Sequence, residues 1–207
     1  DAKHKGISAD VLMQNNRSWV LSRMAVEIDR QPEQYEEYKV ATWVNTHTSR
    51  LISPRNFELI DDKGCIFGRA VSQWCVIDFE KRMPVSLEEV DSLFEGKFCD
   101  APSPCETPRK VRGIEPTIVR RHEVRYSDID FNRHVNTLRY VDLIFDALPI
   151  ELIEKNNGIR LDINFIAEAL YGEVMTIGWI SEGRVWQFEI SSDSGKKLCR
   201  AKIEFKE

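Results

Sequence analysis

Two segments of this chain, 131 residues apart, spell the same hairpin. Residues 57–70 run FELIDDKGCIFGRA and residues 188–201 run FEISSDSGKKLCRA. At that constant offset Phe57 falls on Phe188, Glu58 on Glu189, Asp62 on Asp193, Gly64 on Gly195, Arg69 on Arg200 and Ala70 on Ala201, while Trp74 meets Phe205. Asp-x-Gly between two β-patterned runs signals a tight turn, because glycine supplies the positive φ that closes it. A strand-like run precedes each hairpin, VATWV at 40–44 and MTIGWI at 175–180. Repetition on this scale restricts the chain to tandem β-rich units that share a strand order.

The second unit can be followed from end to end. Strands are expected over 117–126, 159–167, 173–180, 185–191 and 197–205, and a helix over 136–148. In the last strand Cys199, Ala201, Ile203 and Phe205 alternate with Arg200, Lys202, Glu204 and Lys206, so one face is buried and one is wet. The helix is apolar around most of its circumference, through Val135, Leu138, Tyr140, Val141, Leu143, Ile144, Phe145 and Leu148, and only Arg139, Asp142 and Asp146 form a polar stripe. Such a helix needs cover on several sides, which a curved antiparallel sheet wrapped around it supplies; this is the α+β hot-dog arrangement. Pro149 ends the helix, and PIELIEK then turns back through Asn157-Gly158. The first unit opens on SADVLMQNN (8–16), which reads as the tail of an equivalent helix, so its first strand and most of that helix are expected to be missing from this sequence. Between the units, 83–116 holds five of the eight prolines and a short helical stretch at 86–94, the pattern of a crossing linker. The expected division is a first unit at 1–82, the linker at 83–116 and a second unit at 117–207.

Composition narrows the function classes. With 207 residues and 42% hydrophobic content the chain can build a proper core, and a net charge of −5 argues against general nucleic-acid binding. No apolar run approaches the ~20 residues of a membrane-spanning helix. Five scattered cysteines, 65, 75, 99, 105 and 199, fit reduced thiols in a cytoplasmic protein better than a disulfide framework. Cys99 and Cys105 lack zinc-ligand spacing, and no histidine pair completes a site. The opening DAKHKGISAD has neither an initiator Met nor an apolar signal segment, which reads as part of something longer.

The densest polar chemistry lies at 126–136, YSDIDFNRHVN, where Asp128, Asp130, Asn132 and His134 occupy alternate positions. The first half of a calcium loop is copied here, but Arg133 stands where the sharp turn needs glycine and Arg139 where a bidentate Glu is needed. No metal or cofactor is expected. A capped strand-to-helix turn is the plainer reading. Its position at the start of the buried helix also offers backbone N–H groups and a helix dipole to a developing oxyanion.

RYSDIDFNRHVNTLRYVD is similar to the segment of acyl-acyl carrier protein thioesterases that reads approximately YSDLDxNxHVNNxxY. WVLSRMAVEIDRQPEQYEEYKVATWV and GRAVSQWCVID resemble the N-terminal half of the same family, so the likeness spans nearly the whole chain outside the linker. The resemblance is to a bacterial member. It implies a double hot-dog hydrolase that cleaves fatty acyl thioesters from acyl carrier protein, with Asp130, Asn132 and His134 as polar catalytic residues and Glu168, in NFIAEALYGE, as the matching acid. Plant members carry a Cys directly after that Glu; here the position is Ala169, which cannot act as a nucleophile.

The remaining chemistry agrees, since neither GxSxG nor a Cys near a His is present, leaving water activated by a carboxylate. Glu168 is the first choice of base and Asp130 the alternative, with Asn132 positioning the carbonyl or the water and His134 orienting the network or protonating the leaving thiolate. Asp128 reads as a structural cap and Asn136 as the helix start. His4, His47 and His122 read as isolated surface residues, and Trp19, Trp43, Trp74, Trp179 and Trp186 as core. Residues 109–139 carry +4, leaving −9 for the rest, and a basic strip including Arg120, Arg121, Arg125 and Arg133 suits an acidic carrier protein. A homodimer is compatible with this reading. The alternatives are an acyl-CoA thioesterase, a 3-hydroxyacyl dehydratase of the same fold, or a non-catalytic acyl- or carrier-binding module.

Overall fold

The computed structural model describes residues 12–13, 15–46, 49–90, 98–156 and 158–206. His4, His47, Asn157 and much of the helical stretches expected at 8–16 and 86–94 lie outside the described residues; within the latter, a 3-10 turn spans Leu87–Glu89. The contacts divide the chain into two units, residues 1–25 with 32–108 and residues 26–31 with 109–207.

In the first unit the strands are β1 (Arg17–Ile28), β2 (Tyr38–Val44), β3 (Ser53–Asp61), β4 (Ile66–Asp78) and the short β5 (Met83–Val85). Their order is β2-β3-β4-β1, with β5 paired to β4. Leu12, Val76, Val85, Leu87 and Val90 form a buried apolar cluster flanked by Trp19 and Phe98. In the second unit β6 (Ile118–Glu123) leads through a 3-10 turn (Tyr126–Asp128) to α1 (Thr137–Phe145) and α2 (Ile150–Lys155); β7 (Ile159–Phe165), β8 (Val174–Glu182), β9 (Val185–Ser192) and β10 (Lys197–Phe205) follow. The sheet order is β7-β10-β9-β8-β6.

The repeat appears in the coordinates residue for residue. Phe57 pairs with Ala70 and Glu58 with Arg69 across β3–β4; Phe188 pairs with Ala201 and Glu189 with Arg200 across β9–β10. The two turns use glycine in the same way, with φ of +83° at Gly64 and +81° at Gly195. The flanking strands correspond as well, since β2-β3-β4-β1 matches β8-β9-β10-β7. One detail differs from the likeness of VATWV to MTIGWI. Thr42, not Trp43, occupies the place of Trp179, because Thr42 pairs with Phe57 and Trp179 with Phe188. A slip of one residue reverses the face of every side chain, so the two tryptophans point to opposite sides of their sheets.

The helix α1 buries Tyr140, Leu143 and Ile144, with Tyr140 packed edge-on to Phe165 of β7 at 6.0 Å between ring centres. Leu138 is 69% exposed, so the helix is covered over less of its circumference than its apolar sequence suggests. PIELIEK is a helix, α2, rather than a turn: Pro149 is its N-cap, where its fixed φ and missing N–H cost nothing. Of the five tryptophans only Trp179 is buried; Trp19, Trp43, Trp74 and Trp186 are half-buried.

Residues ahead of β6 are bonded to the second unit. Asp162 Oδ1 accepts from Arg109 N at 2.9 Å, Asn164 Oδ1 accepts from Val111 N at 2.8 Å, and Asn164 Nδ2 donates to Arg109 O at 2.9 Å. Side chains of β7 thus supply the hydrogen bonds that a neighbouring strand would otherwise give. The buried Asp162 also pairs with Arg160, whose other partner is Glu27 at 2.6 Å.

Candidate active site

The loop joining the 3-10 turn to α1 is closed on itself. Asp130 N donates to His134 O at 2.9 Å and Arg133 N to Asp130 O at 3.0 Å. Asp130 Oδ1 accepts from the backbone N–H groups of Asn132, at 2.8 Å, and His134, at 3.3 Å. This is the turn chemistry that Asp favours, with the side chain imitating a backbone carbonyl. Arg133 takes the left-handed conformation, φ +64°, so the chain makes its sharp bend without glycine. Short antiparallel bridges then fix the loop, Ile129 to Val135 and His134 to Leu170, and Val135 N donates to Ala169 O at 2.9 Å.

The second bridge brings Glu168 to the cluster. His134 Nε2 stands 3.4 Å from Glu168 Oε2, and both side chains are open to solvent, 35% and 60% exposed. Lys196, from the β9–β10 turn, donates to Glu168 O at 2.8 Å and holds that backbone from the other side. Asn132 is exposed on the same loop. Of the four residues singled out from the sequence, His134 and Glu168 meet through their side chains, whereas Asp130 spends one carboxylate oxygen on the loop backbone. Ala169 is fully buried.

The start of α1 is less available to an oxyanion than its position suggests. Asn136, the N-cap, accepts from Leu138 N through Oδ1 at 2.9 Å and from Arg139 N through its carbonyl at 2.9 Å, and its own N–H goes to Asp128 O at 2.8 Å. Asn136 is therefore the helix start as expected.

Asp128 is a cap, as expected, of the 3-10 turn, but lies deeper than a cap requires, and His122 departs from expectation. Asp128 is 1% exposed. Its Oδ2 accepts from Arg125 N at 2.7 Å and lies 2.8 Å from His122 Nε2, and Arg139 Nε stands 2.7 Å from Oδ1, too oblique for a hydrogen bond. Burial opposes ionisation of this carboxyl, but the Arg125 N–H, His122 and Arg139 outweigh it and hold Asp128 below the ordinary carboxylate range. His122 is thus a partner of a buried carboxylate and not an isolated surface residue. The one signal was Val124, two residues on and just past β6, which is 1% exposed and on the side of His122.

The basic strip is divided. Arg120 and Arg121, adjacent on β6, point to opposite faces. Arg120 donates to Asp146 O at 2.8 Å and lies over the Trp179 ring, while Arg121 pairs with Asp193 at 2.6 Å. Arg125 and Arg133 are exposed beside the loop. Among the described residues no group of three or more His, Cys, Asp or Glu is placed to hold a metal ion, and no helix is long and apolar enough to cross a membrane. No disulfide joins any of the five cysteines, all of which are described.

Residues 1–92 match the acyl-ACP thioesterase N-terminal domain and residues 112–207 the acyl-ACP thioesterase C-terminal domain. The crystal structure of an acyl-ACP thioesterase from Bacteroides thetaiotaomicron is 34% identical, with a TM-score of 0.87 over 99% of this chain and 83% of that one. The chain belongs to the acyl-ACP thioesterase family. The 12:0-ACP thioesterase from Umbellularia californica, 22% identical with a TM-score of 0.85 over 99% of this chain and 84% of that one, shares the fold. Thus the α+β, tandem hot-dog architecture is that of the family. Among curated relatives, the chloroplastic palmitoyl-acyl carrier protein thioesterase of Arabidopsis thaliana is 30% identical over 78% of this chain and 40% of its own length, and that of Gossypium hirsutum 25% over 76% and 40%. The chain spans about two fifths of the length of these curated relatives.

Proposed function

We propose that the protein hydrolyses fatty acyl-acyl carrier protein to free fatty acid and carrier protein, using water activated by a carboxylate. The observation that carries this reading is the meeting of His134 and Glu168 in a family member whose loop also presents Asp130 and Asn132. Glu168 is the general base. Its carboxylate is open to solvent beside an imidazole, whereas Asp130 Oδ1 is engaged by two backbone N–H groups. Water oxygen bonds to the thioester carbonyl carbon as its proton passes to Glu168. The C–S bond then breaks, and the departing thiolate takes a proton through His134, giving the acid and the carrier thiol. The 3.4 Å separation tightens when substrate seats, as catalytic hydrogen bonds do. Asn132 donates its amide to the developing oxyanion. Buried Ala169 offers no nucleophile, so no acyl-enzyme forms there.

Carrier docking is part of the proposal. Arg125 and Arg133, exposed beside the loop, steer the acidic carrier, whereas Arg120 and Arg121 point to opposite faces of β6 and add at most one of them to the same surface. The first unit draws on residues 1–25 with 32–108 and the second on 26–31 with 109–207, so the segment expected as a linker at 83–116 is divided between them. Five cysteines outside any disulfide support a cytoplasmic setting, and a homodimer is compatible with the proposal. The deciding experiment offers the full-length protein a panel of acyl chains, short to long, on carrier protein and on coenzyme A. Faster release from the carrier is expected. Preference for coenzyme A, or no hydrolysis of either, would overturn the reading.

A further inference from the structure

We infer that Asp128, clasped by His122 and Arg139, is a positioning residue that sets the geometry of the catalytic loop without touching substrate; the inference rests on the hydrolase reading above. Nothing about the side chain is exposed enough to meet a ligand. Its partners instead come from each element bordering the loop. His122 belongs to β6, Arg125 N opens the 3-10 turn, and Arg139 lies in the first turn of α1. Asp128 O meanwhile accepts from Asn136 N, just past the loop's other end. One residue therefore fixes both the entry to and the exit from residues 129–135, the segment that carries Asp130, Asn132 and His134.

That arrangement matters because the reactive contact has little tolerance. His134 must close from 3.4 Å to hydrogen-bond distance from Glu168, and a misplacement of about 1 Å can cost roughly 100-fold in rate. A buried carboxylate with partners from several elements is stiff, since moving it breaks charge-assisted bonds in a medium of low dielectric. The loop contains the left-handed Arg133 and the exposed Phe131, so its own turn bonds and bridges depend on where its two ends are held.

The test is a set of single and double substitutions in the full-length protein, assayed on the acyl-carrier substrate turned over best. Asp128→Asn should lower kcat by about 10- to 100-fold while KM changes less than about threefold. In a Glu168→Gln background the same change should cost less than about threefold more, because both act on one step. His122→Ala should lower kcat, and His122→Gln, which keeps a donor, should recover most of the loss. Independently of activity, amide hydrogen exchange at Asn132 and His134 should quicken at least about tenfold in Asp128→Asn with β10 unchanged. A folded Asp128→Asn with wild-type kcat, full additivity with Glu168→Gln, or unchanged exchange at Asn132 and His134 would each overturn the inference. If Asp128→Asn does not fold, equal kcat in His122→Ala and wild type overturns it. Loss of activity in none of the Glu168 and Asp130 variants would instead condemn the hydrolase reading, leaving the exchange result to judge Asp128.

Discussion

The turns that follow β1 and β7 are built alike and differ at the carboxylate proposed as base. After β1, Glu36 N donates to Glu33 O at 3.1 Å, the Glu36 carboxylate accepts from Glu33 N at 2.8 Å, and Tyr35 between them has φ +67°. After β7, Glu173 N donates to Leu170 O at 3.2 Å, the Glu173 carboxylate accepts from Leu170 N at 3.0 Å, and Gly172 has φ +81°. Counted back two residues, the second turn is preceded by Glu168-Ala169 and the first by Gln31-Pro32. The backbone device is retained in both copies because its hydrogen bonds are local. The carboxylate is present in one copy only, and Gln31 cannot take a proton from water. The scaffold is thus kept in both halves, while the carboxylate proposed as base stands in the half that carries the His134 loop.

The largest effect expected from breaking this asymmetry is on rate. Glu168→Gln, which makes the second turn resemble the first, should cut turnover at least ~100-fold without unfolding the protein, whereas Gln31→Glu should leave it within about twofold. Comparable losses from both would show that the two turns share the work. Next come the hairpin glycines. A Cβ at Gly64 or Gly195 meets no atom within 4 Å, so alanine there carries only the backbone penalty, about 1–2 kcal/mol at each site. Chemical denaturation giving clearly unequal costs would show that the two hairpins are not equivalent. A smaller effect is expected at the strained tyrosine: Tyr35→Gly should stabilise by about 0.5–1 kcal/mol, relief of the left-handed strain exceeding the entropy lost by glycine. A drop in midpoint denaturant concentration would contradict it.

The smallest effect is confined to acid. Asp128 ionises below its ordinary value of about 3.9, so its contribution to stability is present above roughly pH 4 and is lost as pH falls through the folded value. Asp128→Asn should flatten that part of the stability curve, and an unchanged slope between pH 5 and 2, a window of roughly that width, would argue that the carboxylate is not held down by its partners.

Local features of the fold were legible because local forces make them. Asp-x-Gly turns, alternation in β10 and the Asn136 cap all depend on neighbours a few residues apart. What escaped notice depends on distance along the chain or on competing signals. Trp43 and Trp179 look equivalent as letters, yet pairing with β3 and β9 sets the register. PIELIEK is short enough to pass for a turn, although Pro149 is well suited to open a helix. Asp128 was visible as a cap, but its depth and its hold on His122 follow from the way β6 and α1 converge. For the site, the family resemblance supplied Glu168; without it a carboxylate 34 residues beyond His134 has no signature in spacing.

Gly178 and Pro116 give the chain a bond of inheritance. A Cβ built on Gly178 of β8 would lie 2.7 Å from Pro116 Cβ, with the next atom of the proline ring at 2.8 Å, and Thr117 N is already tied to Trp179 O at 3.2 Å. Gly178 cannot gain a side chain while Pro116 stays in place. A lineage that acquires any side chain at 178 must first shed the Cβ at 116 or surrender the path of the segment before β6. The two positions are therefore one character in descent, and a hybrid gene that joins its parents between them would fail at a place far from any reacting atom.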